Sequence, residues 1–262
     1  MKNEKLKIVG VIPAHMKSIR FPNKILCHIH GMPMIEHVRR RALLSNYLKR
    51  IIVATCDEEI SESIKKYGGD VVMTSSSHKS GTSRVAEAIE DIDCSHVMLI
   101  QGDEPLILPS SIDKFYKEIE KDSTGLMWNA TGPINSKTEM KKHSFVKCST
   151  NQENKILYLF RNNPSFASLE TQKKYIRKIL GLIAFKKPFL KKFVKYPASF
   201  IEENEFIEQM RAIENGYKIN AVNLEESTPS VNEPNELNVV LEYLKKNKEQ
   251  ISILQKTQSM KF

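Results

Sequence analysis

The run Val97-Met98-Leu99-Ile100, closed by Gln101-Gly102-Asp103-Glu104-Pro105, constrains the fold more than any other stretch of the chain. Four apolar residues without polar alternation describe a strand covered on both faces, as inside a parallel sheet. Gly102 and Pro105 end it. In open α/β sheets, ligands bind outside the carboxyl ends of the strands. Asp103 therefore stands as an anionic oxygen donor at a ligand-binding edge. A carboxylate in that position suits Mg²⁺ shared with substrate phosphates. The same residues, Asp103 and Glu104, also suit a cap for the helix near Ser110, and this stretch alone leaves both readings open.

Apolar runs and helical patterns alternate around it. Residues 8–12 (IVGVI), 51–54 (IIVA) and 70–73 (DVVM) read as strands. Ile35, Val38, Ala42 and Leu43 recur at helical spacing, and the helix around Glu58–Lys66 stops at Gly68-Gly69. Val85, Ala88, Ile89 and Ile92 lead into Val97–Ile100, and Ile112, Phe115, Tyr116 and Ile119 mark the helix that follows. This alternation predicts parallel βαβ units. Leu126–Ala130 reads as a further strand.

Past residue 133 the pattern loosens. Phe145–Cys148 and Ile156–Phe160 read as strands paired about a turn at Asn151–Asn154. Residues 176–185 and 217–223 read as strands, Phe206, Met210 and Ile213 as a helix face, and Leu237, Val240, Leu241 and Leu244 as the final helix. The expected architecture is α/β, with a mostly parallel, Rossmann-like central sheet. A smaller antiparallel lobe is expected from about 135 to 200, within one domain spanning 1–262. No internal repeat or flexible linker divides it.

The 262 residues, 40% hydrophobic and 27% charged, have the proportions of a globular domain. No apolar run approaches the ~20 residues of a membrane span, and the first residues lack a signal-peptide core. Cys27, Cys56, Cys94 and Cys148 form no CxxC pair and read as reduced thiols of a cytoplasmic protein. The net charge is +9 and the pI about 9.2. The lysines are dispersed, however, with no basic stripe interleaved with aromatics, so no nucleic-acid partner is expected. A small polyanion remains compatible with the charge.

Two loops carry the chemistry. Residues 13–24, PAHMKSIRFPNK, follow the first strand and contain neither GxGxxG nor GxxxxGK[ST]. Lys17, Arg20 and Lys24 there offer charge-assisted hydrogen bonds to a triphosphate, and a solvated basic loop accounts for the same spacing. Ser80-Gly81-Thr82 opens a helix whose free N–H groups and dipole favour an anion. Arg84 lies in its first turn, where a cation is disfavoured unless an anion meets it.

Four stretches in order, PAHMKSIRFPNK (13–24), HKSGTSR (78–84), QGDEP (101–105) and IEQMR (207–211), resemble the 3-deoxy-manno-octulosonate cytidylyltransferases, the CMP-Kdo synthetases. The resemblance runs from about residue 8 to 245. It implies transfer of CMP from CTP to an acidic sugar, with the sugar hydroxyl attacking the α-phosphorus and pyrophosphate leaving. This is a step of lipopolysaccharide or capsule biosynthesis. The resemblance further implies that Arg20 and Lys24 hold the triphosphate and that Ala14, Lys17, Ser80, Gly81, Arg84 and Gln101 line the nucleotide. Asp103 would hold Mg²⁺, Arg161 would meet the acceptor's carboxylate, and Gln101, Glu208 and Gln209 its remaining polar groups. It also implies a homodimer formed through the antiparallel lobe.

The chain departs from the family pattern at four places. His15 replaces an Arg, and Ser83 replaces an acid. Ile179 and Ile183 stand where the family has His and Tyr facing the sugar. Val231-Asn232-Glu233-Pro234 replaces Val-Asp-x-Pro, so a second metal carboxylate becomes the neutral amide of Asn232. Two alternatives stay open beside the acidic-sugar reading. One is a phosphorylated or phosphonate acceptor, already anionic and less dependent on metal activation. The other is a nucleotide-binding protein without turnover.

Overall fold

The computed structural model describes residues 6–18 and 20–261. The chain groups into two compact units, one of Lys117–Ser227 and one of the residues up to Tyr116 together with those from Thr228 onward.

The first unit is built on four parallel strands: β1 (Ile8–Ala14), β2 (Ile51–Thr55), β3 (Asp70–Met73) and β4 (His96–Ile100). They lie in the order β4-β1-β2-β3. Val9 faces Val97 and Val11 faces Leu99 across β1 and β4, while Ile12 faces Val53 across β1 and β2. Every residue of β1, β2 and β4 is buried, which explains their unbroken apolar sequences. β3 lies at the open edge of the series and is only partly covered. Helices α1 (Met34–Leu43), α2 (Glu58–Lys66) and α3 (Gly81–Ala88) connect the strands in turn, as the βα alternation predicts. The chain steps outward from β1 to β3, then returns to lay β4 on the other side of β1. That reversal opens a crevice at the carboxyl ends of β1 and β4.

The core face of α1 is the expected one, with Ile35, Val38 and Ala42 buried. Its sequence gave no sign of the charges buried with them. Glu36 is fully buried between Arg39 and Arg40, each 2.6 Å from its carboxylate. Arg40 also donates to the Thr257 carbonyl at 2.6 Å, and Arg41 to Gln250 Oε1 at 2.7 Å. Thr257 and Gln250 belong to a helix, Lys248–Ser259, that sequence reading did not foresee. The expected last helix is Pro234–Lys246, and this one follows it. The physical reason is its packed face, which consists of Gln250, Ile253 and Thr257. A polar contact face leaves no apolar period to read.

The second unit holds β5 (Met127–Gly132), β6 (Lys147–Thr150), β7 (Ile156–Phe160), β8 (Ile176–Lys186) and β9 (Ile219–Asn223). β8 runs antiparallel to β5 and β6, β6 runs antiparallel to β7, and β5 runs parallel to β9. The unit reaches further than the 135–200 stretch. β8 is 11 residues long, and it pairs through Ile176–Lys178 with β6 and through its later part with β5. One strand thus ties β5, and through it β9, to the antiparallel ladder. The helix face expected from Phe206, Met210 and Ile213 does not form. Phe206 has φ 55°, ends helix Phe200–Glu205 and is exposed, and the next helix begins only at Met210. A left-handed residue breaks the helical phase between 206 and 210.

Candidate active site

In the first unit, the carboxyl ends of β1, β2 and β4 and the N-terminus of α3 surround a cavity of about 580 Å³. Ala14, Lys17, Arg20, Lys24, Ser80, Gly81, Arg84, Gln101 and Asp103 all line it. These are the nine residues expected from three separate sequence stretches. Two glycines permit the approach of backbone segments. A Cβ on Gly81 would stand 3.0 Å from the Pro13 ring, and one on Gly102 would stand 3.0 Å from Ile25. A Cβ at either place would require the neighbouring side chain to give by a few tenths of an ångström.

The basic loop after β1 is pinned at both ends. Asp57, at the carboxyl end of β2, accepts a 2.9 Å hydrogen bond from the Met16 N–H. Asn23 adopts φ 60° and opens a single turn of 3₁₀ helix, Lys24–Leu26, which turns Lys24 inward. Lys24 Nζ donates to Asp103 Oδ2 at 2.7 Å and to the Val231 carbonyl at 2.9 Å. The Val231 N–H in turn donates to the Asp103 carbonyl at 2.9 Å. An ammonium has three donors, so one remains for a ligand. Arg20 donates to Asn232 Oδ1 at 3.4 Å and stands 4.0 Å from Glu233. Asn232 therefore lies beside the Lys24–Asp103 pair, linked to it through Val231. Its backbone N–H is held by Glu236 at 2.7 Å.

Five cations line the cavity (Lys17, Arg20, Lys24, Lys79 and Arg84) against two carboxylates, Asp57 and Asp103. Their excess, with the N–H groups of α3, creates a strongly anion-attracting space. Ser80 caps α3 by accepting from the Ser83 N–H at 3.2 Å. Arg84 is buried and donates to the Thr74 hydroxyl at 2.6 Å and the Ser75 carbonyl at 3.4 Å. Both partners are neutral, so its charge is not cancelled by them. Partial burial, and then the Arg84 charge, push His15 below the ordinary imidazole range. The shift favours the neutral ring, and Lys17 stands in the same lining.

Sequence reading missed two features of this wall. Asp57 occupies the carboxyl end of a parallel strand, the same position that singled out Asp103, and that rule would have found it. The other is His78, which lines the cavity and binds Glu87 and, at 3.1 Å, the Ser83 hydroxyl. The His78 contact holds the Glu87 carboxyl below its usual range. Glu87 also accepts from the Ser75 N–H, so the loop before α3 is tied down by α3 itself. Ser83, standing where the resemblance implies an acid, engages His78 through its hydroxyl.

Of the residues expected at the acceptor, Gln101 lines the cavity of the first unit, and Arg161, Glu208 and Gln209 lie in the second. Arg161 spreads its guanidinium over the carbonyls of Glu205 at 3.0 Å, Phe206 at 3.1 Å and His143 at 3.4 Å. It thereby anchors the segment that leads into Glu208 and Gln209. Beneath it, the buried Lys147 donates to the carbonyls of Lys142, Phe145 and Arg161 at 2.8, 2.9 and 2.5 Å. Burial, and then the Arg161 charge, push this amine down to about 8. Glu208 stands 3.8 Å from Arg211, and Gln209 donates to Asn129 at 3.1 Å. Ile179 and Ile183 lie on β8 on either side of a register shift, with Ile183 buried.

Comparison with known proteins places these features in context. A family described as Cytidylyltransferase matches residues 9–219. The 3-deoxy-manno-octulosonate cytidylyltransferase of Geotalea daltonii is 36% identical over 250 residues, covering 92% of this chain and 99% of that protein. The 8-amino-3,8-dideoxy-manno-octulosonate cytidylyltransferase of Shewanella sediminis is 36% identical over 238 residues, covering 89% of this chain and 97% of that one. Among solved structures, a CMP:2-keto-3-deoxy-manno-octonic acid synthetase complexed with CTP superposes with a TM-score of 0.85 at 30% identity, over 92% of this chain and 99% of its own.

Proposed function

The chain belongs to the 3-deoxy-manno-octulosonate cytidylyltransferase family, and from that premise we propose that it transfers CMP from CTP to 3-deoxy-manno-octulosonate (Kdo) or a closely related ulosonic acid. The observation that carries the reading is the convergence of all nine nucleotide-side residues on one cavity at the β1/β4 switch point.

In this reading the triphosphate enters the space between the α3 N-terminus and Lys17, Arg20 and Lys24. The acceptor hydroxyl attacks the α-phosphorus, the bond from that phosphorus to the bridging oxygen breaks, and pyrophosphate departs with the bonding electrons. The hydroxyl proton is released to solvent or to the leaving group. Arg20 and Lys24 stabilise the charge that grows on the phosphate oxygens. Gln101, at the end of β4, hydrogen-bonds nucleotide or sugar.

The donor set also fits Mg²⁺. Among the described residues no group of three His, Cys, Asp or Glu forms a protein-only metal cage. Mg²⁺ is commonly held by one or two carboxylates together with substrate phosphates, and Asp103 supplies one such carboxylate beside the basic loop. Asn232 would add a neutral amide oxygen. When bound there, the ion would orient phosphates and acidify a hydroxyl.

Arg161, Glu208 and Gln209 would meet the acceptor's carboxylate and hydroxyls. The proposal extends to a homodimer through the second unit, supported by the exposed Leu157 and Phe166 side chains there. It extends also to a cytoplasmic location, supported by four free cysteines; no helix among the described residues is long and apolar enough to cross a membrane. Mass in solution at micromolar concentration tests the dimer.

The activity is tested by incubating the protein with CTP, Mg²⁺ and a panel of acids, and measuring pyrophosphate. Release with Kdo or another ulosonic acid supports the reading. Release only with phosphorylated or phosphonate acids would move the acceptor class, and none with any acid would leave a nucleotide-binding protein without turnover.

A further inference from the structure

Asn129, in the middle of β5, is fully buried. Its side-chain nitrogen, which carries two N–H groups, lies within hydrogen-bond distance of three backbone carbonyls, Ala130 at 2.9 Å, Leu180 at 3.1 Å and Leu182 at 3.3 Å, so one N–H is shared between two of them. Leu180 and Leu182 lie within the irregular stretch of β8, where the register against β5 shifts between Ile179 and Ile183. The Asn129 amide thus reaches carbonyls of the irregular stretch of β8. Reversing the amide would set Oδ1 against three carbonyl oxygens, so its orientation is fixed.

The consequence reaches Gln209. Asn129 Oδ1 is an acceptor only, and Gln209 meets it with Nε2 at 3.1 Å. The Gln209 amide is thereby fixed too. No described residue donates to Gln209 Oε1, and that oxygen is not among the buried unpartnered atoms. The group that Gln209 leaves for a ligand is a carbonyl oxygen.

We infer that Asn129 is a positioning residue of the acceptor site: it locks Gln209 so that Oε1 faces the acceptor, and the site therefore takes a substrate that presents a hydrogen-bond donor there, a hydroxyl or a protonated amine. A phosphonate or phosphate oxygen, an ether or a fluorine cannot serve. The inference rests on the reading that Gln209 contacts the acceptor. Without the lock, Gln209 would present either end of its amide, and the discrimination would be lost.

The test measures KM for Kdo and for CTP in four proteins: the wild type, Gln209→Ala, Asn129→Thr and the double variant. A threonine hydroxyl keeps an acceptor for Nε2 but serves only one of the three carbonyls. Gln209→Ala is expected to raise the Kdo KM roughly 5–10-fold, the worth of one neutral hydrogen bond, with the CTP KM unchanged. Asn129→Thr should raise the Kdo KM by a smaller factor, and the double variant should be no worse than Gln209→Ala. Additive effects, or a CTP KM that moves in step, would mean that Asn129 acts only on general stability and would overturn the proposal. An unchanged Kdo KM in Gln209→Ala would overturn the contact itself, a result distinguishable from the first.

Should Asn129→Thr fail to fold, Kdo analogues with each hydroxyl in turn replaced by fluorine decide the matter in the wild type. One analogue should lose binding in the wild type and lose nothing further in Gln209→Ala. Equal binding of all analogues to the wild type would overturn the proposal.

Discussion

Lys24 and Asp103 are 79 positions apart in the chain, yet Nζ and Oδ2 lie 2.7 Å apart. The two side chains are mostly covered, at 12% and 23% exposure, and the Val231 carbonyl holds the same ammonium. The pair brings the basic loop after β1 and the turn after β4 to one point at the switch of strand order. A carboxylate and an ammonium thus share a single edge of the cavity.

Lys24→Ala removes a charge-assisted donor from that edge. CTP affinity should fall about tenfold or more by calorimetry. Unchanged affinity would contradict the assignment. Asp103→Asn keeps the shape and removes the carboxylate. Turnover should drop about a hundredfold or more while the CTP Kd moves only a few-fold, because the loss is felt in the transition state.

Asn232→Asp restores a second carboxylate next to Arg20, with which Asn232 now shares a 3.4 Å hydrogen bond. With a sugar hydroxyl as acceptor, the variant should need several-fold less Mg²⁺ for half-maximal rate, or turn over faster. An anionic phosphate acceptor would be repelled and turnover would fall. Superimposable Mg²⁺ curves would show that Asn232 serves the turn and not the metal.

The cavity of the first unit could be placed from sequence because its logic is local. An apolar strand, a polar loop at its carboxyl end and the βα alternation together place Asp103, Lys24 and Ser80 at one edge before any coordinates exist. Asp57 falls under the same rule, at the carboxyl end of β2. The helix Lys248–Ser259 was illegible for a different reason: it docks through Gln250 and Thr257, and polar docking has no hydrophobic period. Asn129 is harder still. Its role depends on a register shift in β8, a property of two strands about fifty residues apart. The break in the helix at Phe206 comes from a left-handed residue that composition does not reveal.

Lys147→Met leaves three carbonyls without the donor that now satisfies them and loosens the backbone of Arg161. Loss of stability of about 3 kcal/mol is expected from the unsatisfied groups, read as a lowered denaturation midpoint. The Kdo KM should rise more than the CTP KM, since Arg161 lies on the acceptor side of the proposal. A variant as stable as the wild type would show that water replaces the ammonium without cost.

His37 sets an acid limit. Its ring is buried against the Ile29 carbonyl at 2.6 Å, and burial lowers its pKa from 6.5 to about 4. Between those values the unfolded chain binds a proton that the folded chain refuses. Stability contributed by this group is complete above pH 6.5 and declines as pH falls toward 4, by up to about 3 kcal/mol. Denaturant midpoints of the wild type and of His37→Gln, compared at neutral and mildly acid pH, should show a smaller acid loss in the variant. Equal losses would assign the acid sensitivity to other groups.

The central claim, that the Lys24–Asp103 edge serves transfer of CMP to an acidic sugar, is tested most directly with CTP labelled at its α-phosphorus. In the presence of Mg²⁺ and Kdo or a related ulosonic acid, the account predicts that the label moves into a sugar-linked CMP, that unlabelled pyrophosphate accumulates in equal amount, and that Asp103→Asn forms both about a hundredfold or more slowly. Label that stays in CTP with every acidic sugar, or moves only to a phosphorylated or phosphonate acid, would contradict it.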